Sequence, residues 1–152
     1  MNAHSAGLDE LDRGIVTFLR SDGRATYAEV GADVGLSAPA VKRRVDRLVA
    51  SGAISGFAAL VDPRALGWDT EAYVEVRYAG KVSPARLRAD FIAIAEVVGA
   101  WTVSGEADAV LHVLARDVGH LEQTIQRIRE LSDVSATTTD IVLSCLFRRT
   151  PD

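Results

Sequence analysis

The sequence predicts an α+β protein in two units, an N-terminal unit of three helices and a C-terminal unit in which strands and helices alternate. Residues 8–50 place apolar side chains at helical spacing, whereas the stretch after residue 72 alternates apolar and polar residues as a half-buried strand does. Pro63 and Gly67 interrupt the segment between them. We therefore divide the chain into a helical domain, a strand with linker and an α+β domain, at 1–53, 54–71 and 72–152.

The first two helices carry clear start signals. Asp9 precedes an apolar repeat that runs to Leu19, and its carboxylate is suited to cap the first turn. The second helix opens at "TYAE", where Thr26 and Glu29 have the spacing of a capping box. Gly35 ends this helix.

The third helix follows the second after only "GLS". Ser37 is a suitable N-cap, and Pro39 is tolerated in the first turn because its missing N–H has no helical partner there. A turn this short, with Gly35 and the apolar Leu36, is typical of a helix-turn-helix. The first domain is therefore predicted to be a winged-helix-like helix-turn-helix.

The second domain shows the order strand, helix, strand, strand, helix, strand. "AYVEVRYA" is the first strand, a helix is predicted over 84–98, and "GAWTVSG" and "DAVLHVLA" form two strands around Gly105. Asp117 caps a helix whose apolar face begins at Val118. "TTTDIVLSCLF" is the last strand, with Cys145 packed on its buried side. This βαββαβ order predicts a ferredoxin-like unit.

The third helix combines an apolar face with four basic residues. At 100° per residue, Val41, Val45 and Leu48 share the buried face, and Arg43 points away from it. A solvated basic face is the simpler explanation, but the preceding turn favours insertion into the DNA major groove. The predicted DNA contacts are Ser37, Ala38, Pro39, Lys42, Arg43 and Arg47.

Two of the basic side chains of the third helix, Lys42 and Arg44, are also expected to interact within the chain. Asp46 follows Lys42 by four residues and is expected to pair with it. Arg44 falls at the edge of the buried face, where it can brace the three helices or touch a phosphate. The sequence leaves both roles for Arg44 open.

Composition excludes several classes of protein. The 152 residues carry 17 basic and 21 acidic side chains, and the whole net charge of −4 falls in residues 68–152. No apolar run is long enough to cross a bilayer, no export signal opens the chain, and Cys145 has no second cysteine to pair with. We expect a cytoplasmic, nucleoid-associated protein with no metal, no cofactor and no membrane partner.

The ordered motifs resemble the Lrp/AsnC, or feast/famine, family of regulators. The resemblance runs from "LDELDRGIVTFLRSDGR" through "TYAEVGADVGLS", "VKRRVDRL" and "SGAISGFAALVDPRALG" to "VSGEADAVL". It implies a regulator of transcription that binds double-stranded DNA through its helix-turn-helix. It also implies a ferredoxin-like effector module that dimerises through its sheet, with dimers assembling to tetramers or octamers.

The resemblance implies an amino-acid effector bound where the turn "VSGEAD" meets a neighbouring dimer. Gly105 would let backbone amides approach a carboxylate, and Asp108 would pair with an ammonium group. This chain has Glu106-Ala107-Asp108 where members of the family often have an aromatic residue between two aspartates. A glycine turn with solvated acids is the alternative. The implied effector residues are Ser104, Gly105, Glu106, Asp108, Val118, Thr139, Asp140 and Ile141.

Two other functions are compatible with the same architecture. Siroheme decarboxylases resemble this two-part fold, but the second domain offers only His112 and His120, with no metal-ligand spacing or catalytic motif. The sequence therefore predicts no enzyme and no catalytic residue. An architectural protein that coats DNA with little control by a ligand would use the same helix.

Overall fold

A computed structural model describes residues 7–147 as two compact units, divided along the chain between Leu60 and Val61. The first unit holds the helices α1 (Glu10–Ser21), α2 (Tyr27–Val34) and α3 (Ala38–Ala50). The second unit opens with a 3-10 turn (Pro63–Leu66) and continues with β1 (Thr70–Tyr78), α4 (Pro84–Ile92), β2 (Val97–Thr102), β3 (Ala109–Ala115), α5 (Val118–Arg129) and β4 (Val134–Ile141). The predicted order of elements within each of the two units is confirmed.

The three helices of the first unit share one apolar core. Each helix contributes fully buried side chains to it, including Ile15, Val30, Val41, Val45 and Leu48. The predicted helix starts are confirmed as well. Asp9 accepts the Asp12 N–H at 2.7 Å, and both bonds of the Thr26–Glu29 capping box are present.

The second unit is a four-stranded antiparallel sheet with two helices on one face. The strand order is β2-β3-β1-β4, which is that of the predicted ferredoxin-like fold. Val74 lies opposite Leu111 on one neighbouring strand and Thr139 on the other. The core contains side chains from β1 and β3 together with Leu87, Phe91, Leu121 and Ile128 from the two helices.

The two helices of the second unit pack on one face of the sheet and leave its opposite face uncovered. We call it the open sheet face; it includes Tyr73, Trp101, Val110, His112 and Thr138. The Tyr73 and His112 rings stack with their centroids 5.0 Å apart, and Trp101 is 54% exposed. A side chain at Gly99 would collide with the Trp101 indole, so glycine lets this ring lie flat over β2. The open sheet face therefore presents aromatic rings to its surroundings.

Two predicted strands differ from the structure because they lack pairing partners. The strand expected in 54–71 is absent before Thr70, and none of the described residues pairs with 55–62. β4 ends at Ile141, since β1 offers it no partner beyond the Glu71 carbonyl, which accepts the Val142 N–H at 2.8 Å. Cys145, predicted to be buried, is consequently exposed.

The helix predicted over 84–98 is also shorter than expected. It ends at Ile92, and Val98 belongs to β2. The apolar pattern continues at helical spacing beyond the end of α4, because Ile94 in the following turn packs into the same core. The Ile94 N–H donates to the Phe91 carbonyl. Within residues 7–147 no helix combines the length and the apolarity that crossing a lipid bilayer requires.

Candidate DNA-binding helix and effector site

The turn between α2 and α3 is held closed by two glycines. Gly35 adopts a left-handed φ of 71°, and the Leu36 N–H donates to the Gly31 carbonyl at 2.9 Å. A β-carbon at Gly31 would overlap the Leu36 carbonyl oxygen, so no larger residue fits there without moving the backbone. The sequence pattern singled out Gly35 but missed Gly31, because the close approach exists only in the folded turn.

The buried and exposed faces of α3 lie as predicted, except that Ala38, expected to be exposed, is half-buried. Val41, Val45 and Leu48 are at most 2% exposed, and Pro39, Lys42, Arg43 and Arg47 are all exposed. Arg43 has no hydrogen bond or ion pair within the part of the chain that the structure describes. Its guanidinium group is therefore available to a ligand outside the chain.

Lys42 is paired as expected. Its Nζ lies 2.6 Å from the Asp46 carboxylate, and both side chains are more than half exposed. The hydrogen bond with Asp46 raises the pKa of Lys42 above its ordinary value. Because the pair is exposed, it is screened by salt and exchanges readily with other partners.

Arg44 braces α3 against α1, which is the first of the two roles left open for it. Its Nη1 donates to Asp9 at 2.7 Å and to Asp12 at 2.8 Å, and its side chain is 25% exposed. The hydrogen bond from Arg44 lowers the pKa of Asp9 below its ordinary value. Arg44 is therefore part of the helical scaffold.

Arg47 faces outward but is not unpartnered. Its Nη2 donates to both carboxylate oxygens of Asp12, at 2.7 and 2.9 Å, while its side chain stays 60% exposed. The sequence pattern placed this residue on the exposed face without anticipating the bond, because Asp12 lies 35 residues away in α1.

Ser37 occupies the N-cap position of α3 but makes no side-chain cap bond. This differs from the expectation that its hydroxyl would cap the helix, and from the bonded caps Asp9 and Thr26 of α1 and α2. Pro39 has no N–H and the Ala40 N–H donates to the Ser37 carbonyl at 2.9 Å, so the Ala38 N–H and the Ser37 hydroxyl are the donors that this end of α3 offers to an anion. A helix N-terminus attracts phosphate through its free N–H groups and through its dipole.

The predicted effector residues fall into two groups at opposite ends of the sheet. Ser104, Gly105 and Glu106 are exposed in the β2–β3 turn, and Glu106 lies 3.1 Å from Arg77. Asp108 follows them, and its carboxylate accepts the Tyr78 N–H at 2.7 Å, so it also has a structural bond.

The second group lies at the other end of β1, where Ile141 pairs with Ala72. Tyr78 lies six positions along β1 from Ala72, a distance of about 20 Å. One chain alone therefore does not bring both groups into a single site.

A cleft between α5 and β4 is lined by three of the predicted effector residues of the second group, which consists of Val118, Thr139, Asp140 and Ile141. It has a volume of about 270 Å³, and its walls include Val118, Thr139 and Ile141 together with Leu121, Glu122, Ile125, Gln126 and Arg129. Val118, expected in the core, is 62% exposed here. The buried Thr139 Oγ1 has no hydrogen-bond partner among the described residues. Asp140 is exposed and alternates with these residues toward the open sheet face.

The two histidines of the second unit have structural partners. His112 Nε2 lies 2.6 Å from Glu71 on the open sheet face, and His120 Nε2 lies 2.9 Å from the nearly buried Glu96. Arg127 also donates to Glu96, at 2.7 Å. Among residues 7–147 no three His, Cys, Asp or Glu side chains are grouped so that they could hold a metal ion.

Together these units define a two-domain class of protein, a helix-turn-helix joined to a ferredoxin-like module. Comparison with family models agrees unit by unit: residues 8–49 match the AsnC-type helix-turn-helix domain, and residues 71–152 match the Lrp/AsnC ligand binding domain. The chain belongs to the Lrp/AsnC family of transcriptional regulators, which confirms the resemblance seen in the sequence.

Individual relatives cover almost the whole chain. It is 52% identical over 144 residues to the HTH-type transcriptional regulator Rv2324 of Mycobacterium tuberculosis, covering 95% of this chain and 97% of the relative. The feast or famine regulatory protein Rv3291c of M. tuberculosis, solved with L-methionine, is 34% identical with a TM-score of 0.89 over 96% of this chain and 99% of that one. The NMB0573 regulator of Neisseria meningitidis, also solved with L-methionine, is 25% identical with a TM-score of 0.86 over 95% of each chain.

These comparisons decide between the classes of function. The matching families and relatives are regulators of transcription and not enzymes. The protein is accordingly a DNA-binding transcriptional regulator, and the siroheme decarboxylase alternative is set aside.

Proposed function

We propose that α3 enters the major groove of an operator and that its exposed residues contact the DNA. The observation that carries this is the unpaired Arg43 on the outer face of a helix fixed by a closed helix-turn-helix. A guanidinium group can donate two bonds to guanine O6 and N7. The proposed contacts are Ser37, Ala38, Pro39, Lys42, Arg43 and Arg47.

The individual contacts follow from the chemistry of each side chain. Arg43 would bind a base edge, whereas the Ser37 hydroxyl and the Ala38 N–H would bind a phosphate. Lys42 can turn from the exposed Asp46 to a phosphate at little cost, because exposed ion pairs contribute at most about 1 kcal/mol. Ala38 and Pro39 would supply apolar contact beside the bases.

Selection of duplexes from a random-sequence library tests this function. A regulator should enrich a pseudo-palindromic sequence with two half-sites about one helical turn apart. Uniform binding to every fragment would instead support the architectural alternative. If the protein bound none of the duplexes, both the regulatory and the architectural functions would be contradicted. Footprinting on genomic DNA would then locate the operators in the genome. We propose that the protein is cytoplasmic and associated with the nucleoid.

We further propose that the chain acts as a dimer formed through the open sheet face, with dimers assembling to tetramers or octamers. The exposed Trp101 and the Tyr73–His112 stack support this, because aromatic side chains are enriched in protein interfaces. A two-fold dimer presents two copies of α3, as a pseudo-palindromic operator requires. Sedimentation velocity measures the assembly directly.

An amino acid is the proposed effector, with walls from the two groups of residues supplied by neighbouring chains. The α5–β4 cleft supports this because it combines apolar walls with Glu122, Arg129 and the unpaired Thr139 hydroxyl, which suit a zwitterion with an apolar side chain. L-Methionine in two related structures supports the same class of ligand.

Thermal-shift screening of the amino acids, L-methionine included, tests the effector proposal. An effector should raise the melting temperature of the wild type, and Thr139→Val should reduce that shift, because it removes the hydroxyl while preserving the shape. Asp108→Ala tests the contribution of the β2–β3 turn. A clear shift that survives unchanged in both variants would remove these residues from the site.

A further inference from the structure

Asp12 holds two arginines of α3 that differ in how firmly they are fixed. Arg44 has a second carboxylate partner, Asp9, and is mostly covered. Arg47 is bonded only to Asp12 within the described residues, and its side chain is 60% exposed. Asp12 itself is 5% exposed. The bond to Arg47 can therefore break while Asp12 keeps its bond to Arg44.

Internal pairing leaves α3 with little uncompensated positive charge. Lys42, Arg44 and Arg47 each have a carboxylate partner. Among the described residues, Arg43 is the only basic side chain of α3 that lacks a carboxylate partner. Sequence-independent DNA affinity rises with the number of phosphates that basic side chains neutralise. These carboxylates consequently weaken attraction to DNA of any sequence.

We infer that Asp12 is a specificity-determining residue, which keeps Arg47 from the phosphates of non-target DNA and releases it at the operator. The inference rests on the proposed binding of α3 in the major groove. A single phosphate offers Arg47 nothing that the two oxygens of a nearly buried carboxylate do not already supply. A guanine edge adds two acceptors in a fixed geometry, and the complementary contacts of a whole operator offset the lost bond.

The first test is Asp12→Asn, which keeps the size of the side chain and removes its charge. Binding is measured by fluorescence anisotropy over a range of salt concentrations, on a duplex that the wild type selects from a random library and on a shuffled duplex. We expect about threefold or more tighter binding to the shuffled duplex at low salt, with a salt slope about 0.9 steeper for each phosphate gained. Specificity, the ratio of the two affinities, should fall.

Asp33→Asn is the matched control for net charge. Asp33 is exposed in α2 and has no ion pair among the described residues, so its loss changes the charge of the same unit without releasing an arginine. An equal gain in affinity from Asp33→Asn would show a simple charge effect and overturn the inference. So would an unchanged or weaker affinity of a folded Asp12→Asn variant for the shuffled duplex.

Arg47→Met provides a test that does not depend on the folding of Asp12→Asn. It should weaken binding to the selected duplex about tenfold while leaving the affinity and salt slope on the shuffled duplex unchanged. A shallower slope on the shuffled duplex would show that Arg47 already neutralises phosphate there and would contradict the inference. In the double variant Asp12→Asn/Arg47→Met, the gain on shuffled DNA should disappear, because Asp12 acts through Arg47.

The proposed function and this inference fail in different ways. If the wild type selects no duplex, α3 does not bind DNA as proposed. If the wild type selects a duplex and Arg43→Ala weakens that binding, but Asp12→Asn leaves the ratio of affinities unchanged, the function stands and the role of Asp12 is wrong.

Discussion

Arg43 is the side chain from which the most direct loss of DNA binding is expected. Arg43→Ala should weaken binding to a selected operator by about 1–3 kcal/mol if the guanidinium contacts a guanine. Anisotropy titration at one fixed salt concentration measures the change. Arg88→Ala removes the same charge from an exposed position in α4 and should have little effect.

The double variant Arg43→Ala/Arg47→Ala is a stricter test of the proposal that α3 is the recognition helix. Together the two changes remove the outermost guanidinium groups of α3. Normal affinity of this variant for the operator would exclude α3 as the recognition helix.

Gly31 makes a second prediction at the level of one residue. Gly31→Ala should destabilise the first unit by about 2 kcal/mol or more, because the new β-carbon would overlap the Leu36 carbonyl oxygen and force the turn open. Urea unfolding followed by circular dichroism measures this. Gly7→Ala, whose β-carbon meets no atom within 4 Å, is the control; equal stability of the two variants would mean that the turn accommodates a methyl group.

Among the elements of the second unit, the α4–β2 loop and α5 are joined through a nearly buried carboxylate. Burial raises the pKa of Glu96, but hydrogen bonds from Arg127, its own backbone N–H and His120 lower it by more, so the pKa lies below the ordinary value of a glutamate. A carboxyl group with a lowered folded-state pKa stabilises the fold above its unfolded-state value and loses that contribution as pH falls through the folded-state value.

We therefore expect the stability of the second unit to fall as the pH drops below about 4.5. Thermal unfolding of the wild type across that range measures the loss. Glu96→Gln should be less stable than the wild type at neutral pH, and the difference between the two should shrink in acid. A constant difference across the range would contradict the assignment to Glu96.

For the whole molecule, the open sheet face predicts assembly. Trp101→Glu should weaken the dimer about tenfold or more, because pairing two faces would then bury a carboxylate without a partner. Sedimentation velocity over a range of concentrations detects the shift to monomer. Ala89→Glu adds the same charge at an exposed position in α4 and should leave the assembly unchanged; equal dissociation by both would place the interface elsewhere.

Local sequence patterns determined much of this architecture. The caps at Asp9, Thr26 and Asp117, and the periodicity that buries Val41 and Val45, depend on neighbours a few residues away. The same local rule paired Lys42 with Asp46. Such features can be predicted because each is complete within one or two turns of a helix.

The errors arose where a pattern needed a distant partner. The last strand was predicted through Phe147 because its alternation continues, yet pairing stops at Ile141, opposite Ala72 and two residues from the start of β1. Periodicity carried the fourth helix past Ile92, since Ile94 in the following turn packs into the same core. Apolar spacing reports burial, whereas the end of an element depends on hydrogen-bond partners elsewhere in the chain.

The sequence by itself determined the order of elements, the faces of the helices and the family, because these depend on local spacing and on motifs in order. Only the tertiary structure decided how the arginines of α3 are paired within the chain. It bonded Arg44 and Arg47 to carboxylates of α1, left Arg43 without a partner in the described chain, and separated the effector residues into two groups. The physical reason is that these ion pairs join side chains more than thirty residues apart, and that their proximity is set by packing rather than by spacing along the chain.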